Sequence, residues 1–499
     1  MMPENSVMRG QPPLEWEPVI GLEIHAELKT KTKMFCDSLN DSRESQPNVN
    51  ICPVCMGHPG TLPVPNGEAV RSLLRVGLAV GGTIASESYF ERKNYFYPDL
   101  PKGYQISQYQ RPLVSGGGID VTQSGGEIRR IRIERIHLEE DTARSIHDPK
   151  TKTTLLDFNR SGIPLMELVT EPDMHNPEEV SQFAEELQRT LQYLGASDAN
   201  MEAGEMRIEV NVSLRPAGSQ KLGTKVELKN INSFRFAGKA IGYEIERQAG
   251  QLERGEQVVQ ETRGWDEARG MTVAQRSKEE SHDYRYFPEP DIPPFRIAPD
   301  LVEELRRSIP ELPAAKRRRF HDEFGLAAGI ADTLVRDRRL AGFFESAASE
   351  LRAWLSARGG AAGNLAEPLR LAANYLTTDA AGRIGGTEHR LTPENFAELI
   401  TYLVEGKVSS RVAKDVLAEM LATGADPSVL IEERGLWQVS RADALASAVA
   451  DAISSNPKAA DDYRSGKGGA LQFLVGQAMK TSRGANPETL RALLEEKLK

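Results

Sequence analysis

The clearest pattern along the chain is a period-two alternation of apolar and ionisable residues that recurs four times. Ile20, Leu22, Ile24, Ala26 and Leu28 alternate with Gly21, Glu23, His25 and Glu27. Successive side chains point to opposite faces of a strand, so the spacing predicts a β-strand whose polar face carries Glu23 and His25 about 7 Å apart. Ile136 and Leu138 stand in the same way against His137, Glu139 and Asp141. Glu140 falls on the apolar side unless the strand ends or bulges there. Ile208, Val210, Val212 and Leu214 oppose Arg207, Glu209, Asn211 and Ser213, and Val226 and Leu228 oppose Lys225, Glu227 and Lys229. A Pro/Gly loop, 216–223, separates the last two segments and predicts an antiparallel hairpin.

Beyond these strands the pattern changes. Residues 17–297 are rich in Gly, Pro and aromatics with short alternating segments, which reads as a β-rich α+β domain. Four prolines between Phe287 and Pro294 make a boundary or a rigid extended segment. From 298 onward Ala, Leu, Glu and Arg dominate in a helical rhythm. Thr392 is a helix cap with Pro393 at the first helical position, Phe396, Leu399, Ile400 and Leu403 form one stripe, and Gly406 ends the helix. Val412, Ala413, Val416, Leu417 and Met420 repeat the stripe up to Gly424. Glycine-marked breaks near 359–363 and 385–387 divide this half into a helical domain, 298–390, and a helical tail, 391–499. The first 16 residues are polar, lack the apolar stretch of a secretory signal and read as a disordered lead-in.

Composition narrows the function classes. Only 3 cysteines in 499 residues exclude a disulfide framework and fit a reducing, cytoplasmic setting. No apolar run reaches transmembrane length. The net charge of −10 argues against a protein that grips nucleic acid over its whole surface, so any RNA contact must be local. The densest basic run is Lys316, Arg317, Arg318 and Arg319, a candidate phosphate contact or a solvated helix face; Lys480 and Arg483 repeat the idea more weakly.

The polar strand faces are either the solvated outer side of an antiparallel sheet or a site of chemistry. A solvated sheet usually shows Thr, Ser and Lys, whereas this face carries His, several carboxylates, Arg, Lys and Asn. Carboxylates with an imidazole suit a hard divalent cation, and neighbouring Arg and Lys suit a phosphoryl group in transfer. The segment from Gly218 to Lys225 is no P-loop, because Thr224 and Lys225 stand in the wrong order between two strands. There is no serine nucleophile elbow and no cysteine in a glutaminase setting. Cys52 and Cys55 form a C-x-x-C that, with Cys36 and either Asp37 or His58, would complete a zinc set; packed thiols are the alternative.

Longer motifs carry a resemblance. Gly21-Leu-Glu-Ile-His25-Ala-Glu-Leu28, Cys52-Pro-Val-Cys-Met-Gly-His-Pro-Gly60, the run Lys93–Gln108, His137-Leu-Glu-Glu-Asp141, Asp157–Glu167, Lys225–Ser233 and Asp283–Pro290 follow in order. In them the chain resembles, over almost its whole length, the B subunits of the aspartyl/glutamyl-tRNA amidotransferases, the GatB/GatE family. The resemblance implies an antiparallel "cradle" domain, an all-α domain and a tail similar to YqeY proteins that holds tRNA. It implies a glutamine-dependent C–N ligase in which ATP and Mg²⁺ activate the carboxylate of misacylated Glu-tRNA(Gln) or Asp-tRNA(Asn). Ammonia would come from a separate amidase subunit, with a small third subunit completing a heterotrimer, which fits the missing glutaminase residues. Glu23, His25 and Glu139 or Glu140 match the metal-binding positions. Arg207 and Glu209 stand where the family has an Arg and a carboxylate, usually Asp. Lys225, Glu227 and Lys229 are expected to meet the nucleotide. Where the family often has Cys-x-Cys, this chain has Cys36-Asp37-Ser38, one sulfur short for zinc.

Overall fold

The computed structural model describes residues 15–123, 126–148, 150–277, 283–357, 365–385, 389–438, 442–482 and 485–498. Most of the lead-in, the breaks at 359–363 and 386–387, and Arg483 lie outside them. The chain divides into a first unit up to Leu312 and a second from Pro313.

The first unit is built on a ten-stranded, mostly antiparallel sheet. The strands that matter here are β1 (Trp16–Glu27), β2 (Glu91–Asn94), β3 (Tyr104–Ser107), β4 (Ile128–Glu140), β5 (Pro164–Thr170), β6 (Met206–Pro216), β7 (Val226–Ile231), β8 (Glu261–Asp266) and β9 (Met271–Ser277). Their order across the large sheet is β9-β8-β7-β6-β1-β5-β4, continued by two short strands; β2 and β3 form a separate small sheet with Phe287–Pro288. The expected hairpin of β6 and β7 is antiparallel, with Asn211 opposite Glu227. The strands centred on Glu23 and Glu139 are not neighbours. β5 runs between them, pairing with β1 on one side and β4 on the other.

One face of this sheet is apolar because the period-two pattern puts Ile20, Leu22, Ile24, Ala26 and Leu28 on it, none more than 1% exposed. Three helices belong to the same core. The first is α1 (Gly67–Ala79), capped by Asn66. The second is α2 (Pro177–Leu194), whose N-cap Asn176 accepts from the Glu179 N–H at 2.9 Å and which ends at left-handed Gly195. The third is α3 (Phe234–Glu253), capped by Ser233. They bring Leu73, Phe183, Leu187, Leu191, Ala240 and Ile241 to the apolar sheet face. Where β1 leaves the β5 ladder, the Leu22 N–H donates to Thr170 Oγ1 at 2.9 Å, so a buried backbone donor stays satisfied. The opposite face is left for the ionisable residues.

The helix expected to open the helical half, α4 (Pro299–Ser308), belongs instead to the first unit, so the division falls at 312/313 and not at 297/298. Its Leu301, Val302 and Leu305 pack into the sheet core. The proline-rich segment is the rigid extended alternative: Phe287–Pro288 pairs with Arg92 and Glu91, and Phe295–Arg296 with Ser88 and Glu87.

The second unit is helical among its described residues. Thr392 caps Pro393–Val404 by accepting from the Asn395 N–H at 3.2 Å, and left-handed Gly424 closes Ser410–Thr423, as the pattern predicts. The tail buries its own cluster around Leu445, Val449, Leu474, Leu490 and Leu494. None of the described helices is long and apolar enough to cross a membrane.

Truncating Ile24 to Ala removes a wholly buried side chain from the centre of the sheet and should cost about 2–5 kcal/mol, whereas Leu39→Ala, 54% exposed, should stay within about 0.5 kcal/mol. Urea midpoints of the purified variants measure both; equal midpoints would refute the placement of Ile24.

Candidate active site

The sheet register sets the site. His25 on β1 lies directly across from Glu167 on β5, and Glu167 directly across from His137 on β4. Three strands therefore lay imidazole, carboxylate and imidazole in a row on the polar face. His25 Nε2 is 3.3 Å from Glu167 Oε2 and 3.6 Å from Glu139 Oε1. His137 Nε2 is 3.5 Å from Glu167 Oε2 and 3.9 Å from Glu139 Oε2. Two overlapping sets of potential metal ligands result, Glu23–His25–Glu167 and His137–Glu139–Glu167. Ser107 Oγ on β3 donates to Glu139 at 3.1 Å.

Crowding of like charge in a poorly hydrated site shifts every titratable group. Burial and the Glu167 charge push Glu139 up to about 7, and Glu23 is raised for the same two reasons. Burial would discharge His25, but its hydrogen bond to Glu167 and the charges of Glu167, Glu139 and Glu23 outweigh it and raise the imidazole to about 9. Burial takes His137 the other way, to about 4, with Arg135, Lys93 and His25 adding to the effect against the opposing pull of Glu167. Lys93 on β2 stays charged in spite of burial because Glu139 and Glu167 face it. The site thus draws positive charge to itself: the His25 imidazolium and the Lys93 ammonium offset part of the charge of Glu23, Glu139 and Glu167. Oxygen-rich donors with one imidazole fit a hard divalent ion such as Mg²⁺ or Mn²⁺. His137 Nδ1, buried without a hydrogen-bond partner, marks an imidazole whose other nitrogen faces the carboxylates.

Two ion networks flank the cluster. On one side Arg207 Nη2 lies 2.7 Å from Asp141, which Arg160 also approaches at 3.5 Å. Those two guanidiniums outweigh burial and hold the Asp141 carboxyl below its ordinary range. Glu27, buried near Asp141, is pushed up to about 7. On the other side Lys229 Nζ is 2.7 Å from Glu209 and 3.7 Å from Glu227, and Glu209 stands across from Glu23 in the sheet. Thr262 on β8 donates to Glu227 at 2.7 Å.

Of the residues singled out in the sequence, Glu23, His25, Glu139, Arg207, Glu209, Glu227 and Lys229 share this face. Glu140 does not. The β4 ladder continues without a bulge through Glu139 and Glu140, so Glu140 points to the other face. There it pairs with Lys102 and accepts the Ile106 N–H at 2.9 Å. Lys225 precedes β7 and is exposed, apart from the cluster. Glu167, His137 and Lys93 are the additions. Glu167 is the one ionisable residue of β5, an otherwise apolar strand with no alternation to announce it.

Cys36, Cys52 and Cys55 also come together, their sulfurs within 4.8 Å of one another, a group that could hold a metal. Neither Asp37 nor His58 joins them as a ligand, although His58, Cys36 and Cys55 line one cavity of about 210 Å³. Buried Lys33 places Nζ 3.9 Å from Cys55 Sγ. The hydrogen bond from Cys36, and then the Lys33 charge against the cost of burial, lower Cys55 to about 5.

In the second unit most of the basic run is tied down. Lys316 lies 2.7 Å from Glu345, Arg319 pairs with the same carboxylate, and Arg317 approaches Asp332 at 3.7 Å. Arg318 and Lys480 are exposed.

The sequence matches the GatB/GatE catalytic domain over residues 18–303 and a GatB domain over 361–498. It is 45% identical over 491 residues to the aspartyl/glutamyl-tRNA(Asn/Gln) amidotransferase B subunit of Thermoanaerobacter pseudethanolicus, covering 97% of this chain and 100% of that one. It is 47% identical over 488 residues to the protein of the same name from Halorhodospira halophila, covering 97% and 99%. With the Persephonella marina protein the identity is 44% over 492 residues, again 97% of this chain and all of the other. Match of the catalytic domain across the whole acidic sheet, and alignment with these relatives from end to end, place the chain in the GatB/GatE family, among the B subunits of the tRNA-dependent amidotransferases.

Proposed function

We propose that the ionisable sheet face uses ATP to activate the side-chain carboxylate of Glu or Asp esterified to tRNA, so that ammonia converts it to Gln-tRNA(Gln) or Asn-tRNA(Asn). The observation that carries this reading is the meeting of Glu23, His25, Glu139 and Glu167 beside Lys93 and Arg207, in a member of this family. The relatives are named as B subunits, which supports a multi-subunit enzyme. An amidase partner would release the ammonia, a small third protein would complete the heterotrimer, and the tRNA substrate sets the reaction in the cytoplasm.

The chemistry explains the donor set. A carboxylate is a poor acyl donor because its leaving group would be oxide. When a carboxylate oxygen attacks the γ-phosphorus of ATP, the bond to ADP breaks and an acyl phosphate forms. Ammonia then adds to the acyl carbon, the C–O bond to phosphate breaks, and the nitrogen loses a proton. Glu23, His25, Glu139 and Glu167 would hold Mg²⁺, which when bound supplies positive charge to the phosphate oxygens. Lys93 and Arg207 offer cations to charge developing on the phosphoryl group. Lys229, held by Glu209 and Glu227, does the same from the other flank. Burial of Glu139 and Glu167 keeps water from the acyl phosphate, which it would hydrolyse. Cys36, Cys52 and Cys55 would supply three ligands to a structural zinc ion. The helical second unit would hold the tRNA body, with Arg318 and Lys480 among its exposed cations.

The assembled enzyme with ATP, glutamine and Glu-tRNA or Asp-tRNA should form the amidated product, and absence of product from both would count decisively against the reading. His25→Ala should cut this rate by about a hundredfold or more while glutamine hydrolysis by the amidase partner persists. Isothermal titration with Mn²⁺ separates the two candidate glutamates of β4. Glu139→Gln and Glu167→Gln should weaken binding at least tenfold. Glu140→Gln should leave the affinity nearly unchanged but, by breaking a buried pair with Lys102, lower stability by about 3 kcal/mol. The opposite ranking would move the ion to Glu140.

A further inference from the structure

Two turns bring the three cysteines together. The Met56 and Gly57 N–H groups donate to the carbonyls of Cys52 and Val54, each at 3.0 Å, and Gly57 takes the left-handed conformation at φ 67°. Cys52-Pro-Val-Cys55 is thereby folded into a tight knuckle. The Cys52 N–H donates to Cys55 Sγ at 3.1 Å, and the two sulfurs stand 3.9 Å apart. Thiolates held at about 2.3 Å from a tetrahedral zinc are roughly 3.8 Å from one another, so this pair already has the spacing of two ligands. Cys36 comes from the second turn, in which the Lys33 N–H donates to the Ser38 carbonyl at 2.9 Å.

That second turn sets Ser38 beside the sulfurs. Its Oγ is 3.9 Å from Cys55 Sγ, as near as Cys52 is, and the chain has no fourth cysteine. A neutral hydroxyl is a weak zinc ligand beside thiolate, imidazole or carboxylate. Asp37 and His58, which could close the set, are both exposed and stand outside the group. Cys36 and Cys55 instead border the cavity of about 210 Å³. A single water needs only about 15 Å³ of such space, so a small ligand fits beside the sulfurs.

Charge decides what kind of ligand that is. Thiols lose their protons on binding a metal, so a divalent ion with three thiolates carries one net negative charge. Lys33 is wholly buried, with Nζ 3.9 Å from Cys55 Sγ and 3.3 Å from the Phe158 carbonyl that accepts from it. One ammonium neutralises a three-thiolate site. A carboxylate or a further thiolate in the fourth place would leave a buried negative charge without a partner, which is costly.

We propose that Cys36, Cys52 and Cys55 hold zinc as its only protein ligands, leaving a fourth position that faces the cavity and takes a water exchangeable for a small neutral nitrogen base. The proposal rests on the zinc reading above and completes its coordination. Sites closed by four protein ligands hold structure alone, whereas an open position binds a ligand.

The test uses the purified full-length chain loaded with Zn²⁺ or Co²⁺, with imidazole as the probe. X-ray absorption at the zinc edge should give three sulfurs and one oxygen for the wild type and for His58→Ala, and four sulfurs for Ser38→Cys. Imidazole should shift the visible bands of the Co²⁺ form in the wild type and in His58→Ala, and leave those of Ser38→Cys in place. Lys33→Met, which removes the neutralising charge, should weaken zinc binding about tenfold or more in competition with a chelator. Unchanged affinity in Lys33→Met would overturn the charge argument on which the neutral ligand rests. An imidazole signal in the untreated wild type that disappears in His58→Ala would show a closed site and overturn the inference, as would Co²⁺ bands in the wild type that imidazole does not move; either result would leave zinc itself in place. A wild-type chain that takes up no zinc would refute both the inference and the zinc reading.

Discussion

Three carboxylates brought within a few ångströms of one another repel, and the first unit depends on holding them together. The strand order does this. β5 is pinned on both edges by antiparallel ladders, so Glu167 cannot turn away from His25 on one side or from His137 on the other. The reverse of the sheet, packed with α2 and α3, supplies the hydrophobic burial that offsets the electrostatic cost. Removing a carboxylate by mutation should therefore relieve strain even as it destroys the site, the familiar opposition between stability and activity.

The alternating pattern made much of this legible. β1, β6, β7 and the second half of β4 could be read from their period of two, and with them Glu23, His25, Glu139 and Arg207. The hidden part was β5. Pro164, Leu165, Met166, Leu168 and Val169 are all apolar because both faces of that strand are covered, and a strand buried on both faces has no alternation to display. Glu167 was therefore visible only as a member of a longer motif. Glu140 was ambiguous for a related reason. Periodicity places it correctly only once the absence of a bulge is known, and that depends on the partner strand. Lys93 comes from a different sheet, which strand patterns within the first could not reveal.

In the helical half, local signals sufficed. Thr392, Gly406 and Gly424 end their helices where capping chemistry requires, since a cap is a contact between near neighbours in sequence. The basic run shows the limit of local reading. Four successive cations look like a phosphate site, but three face acids at 332 and 345, and only the fold reveals those partners.

The antiparallel placement of β5 also bears on how such a chain can vary through descent. Turns at the rim, such as that around Gly218, can gain or lose residues at little cost, because nothing chemical is counted from them. A single residue inserted within Pro164–Thr170 would slide the strand by one step, present Met166 or Leu168 to the histidines, and drive the lost carboxylate among the leucines behind. Length variation among descendants of this protein is thus confined to the loops, and the spacing inside its central strands is as fixed as the residues themselves.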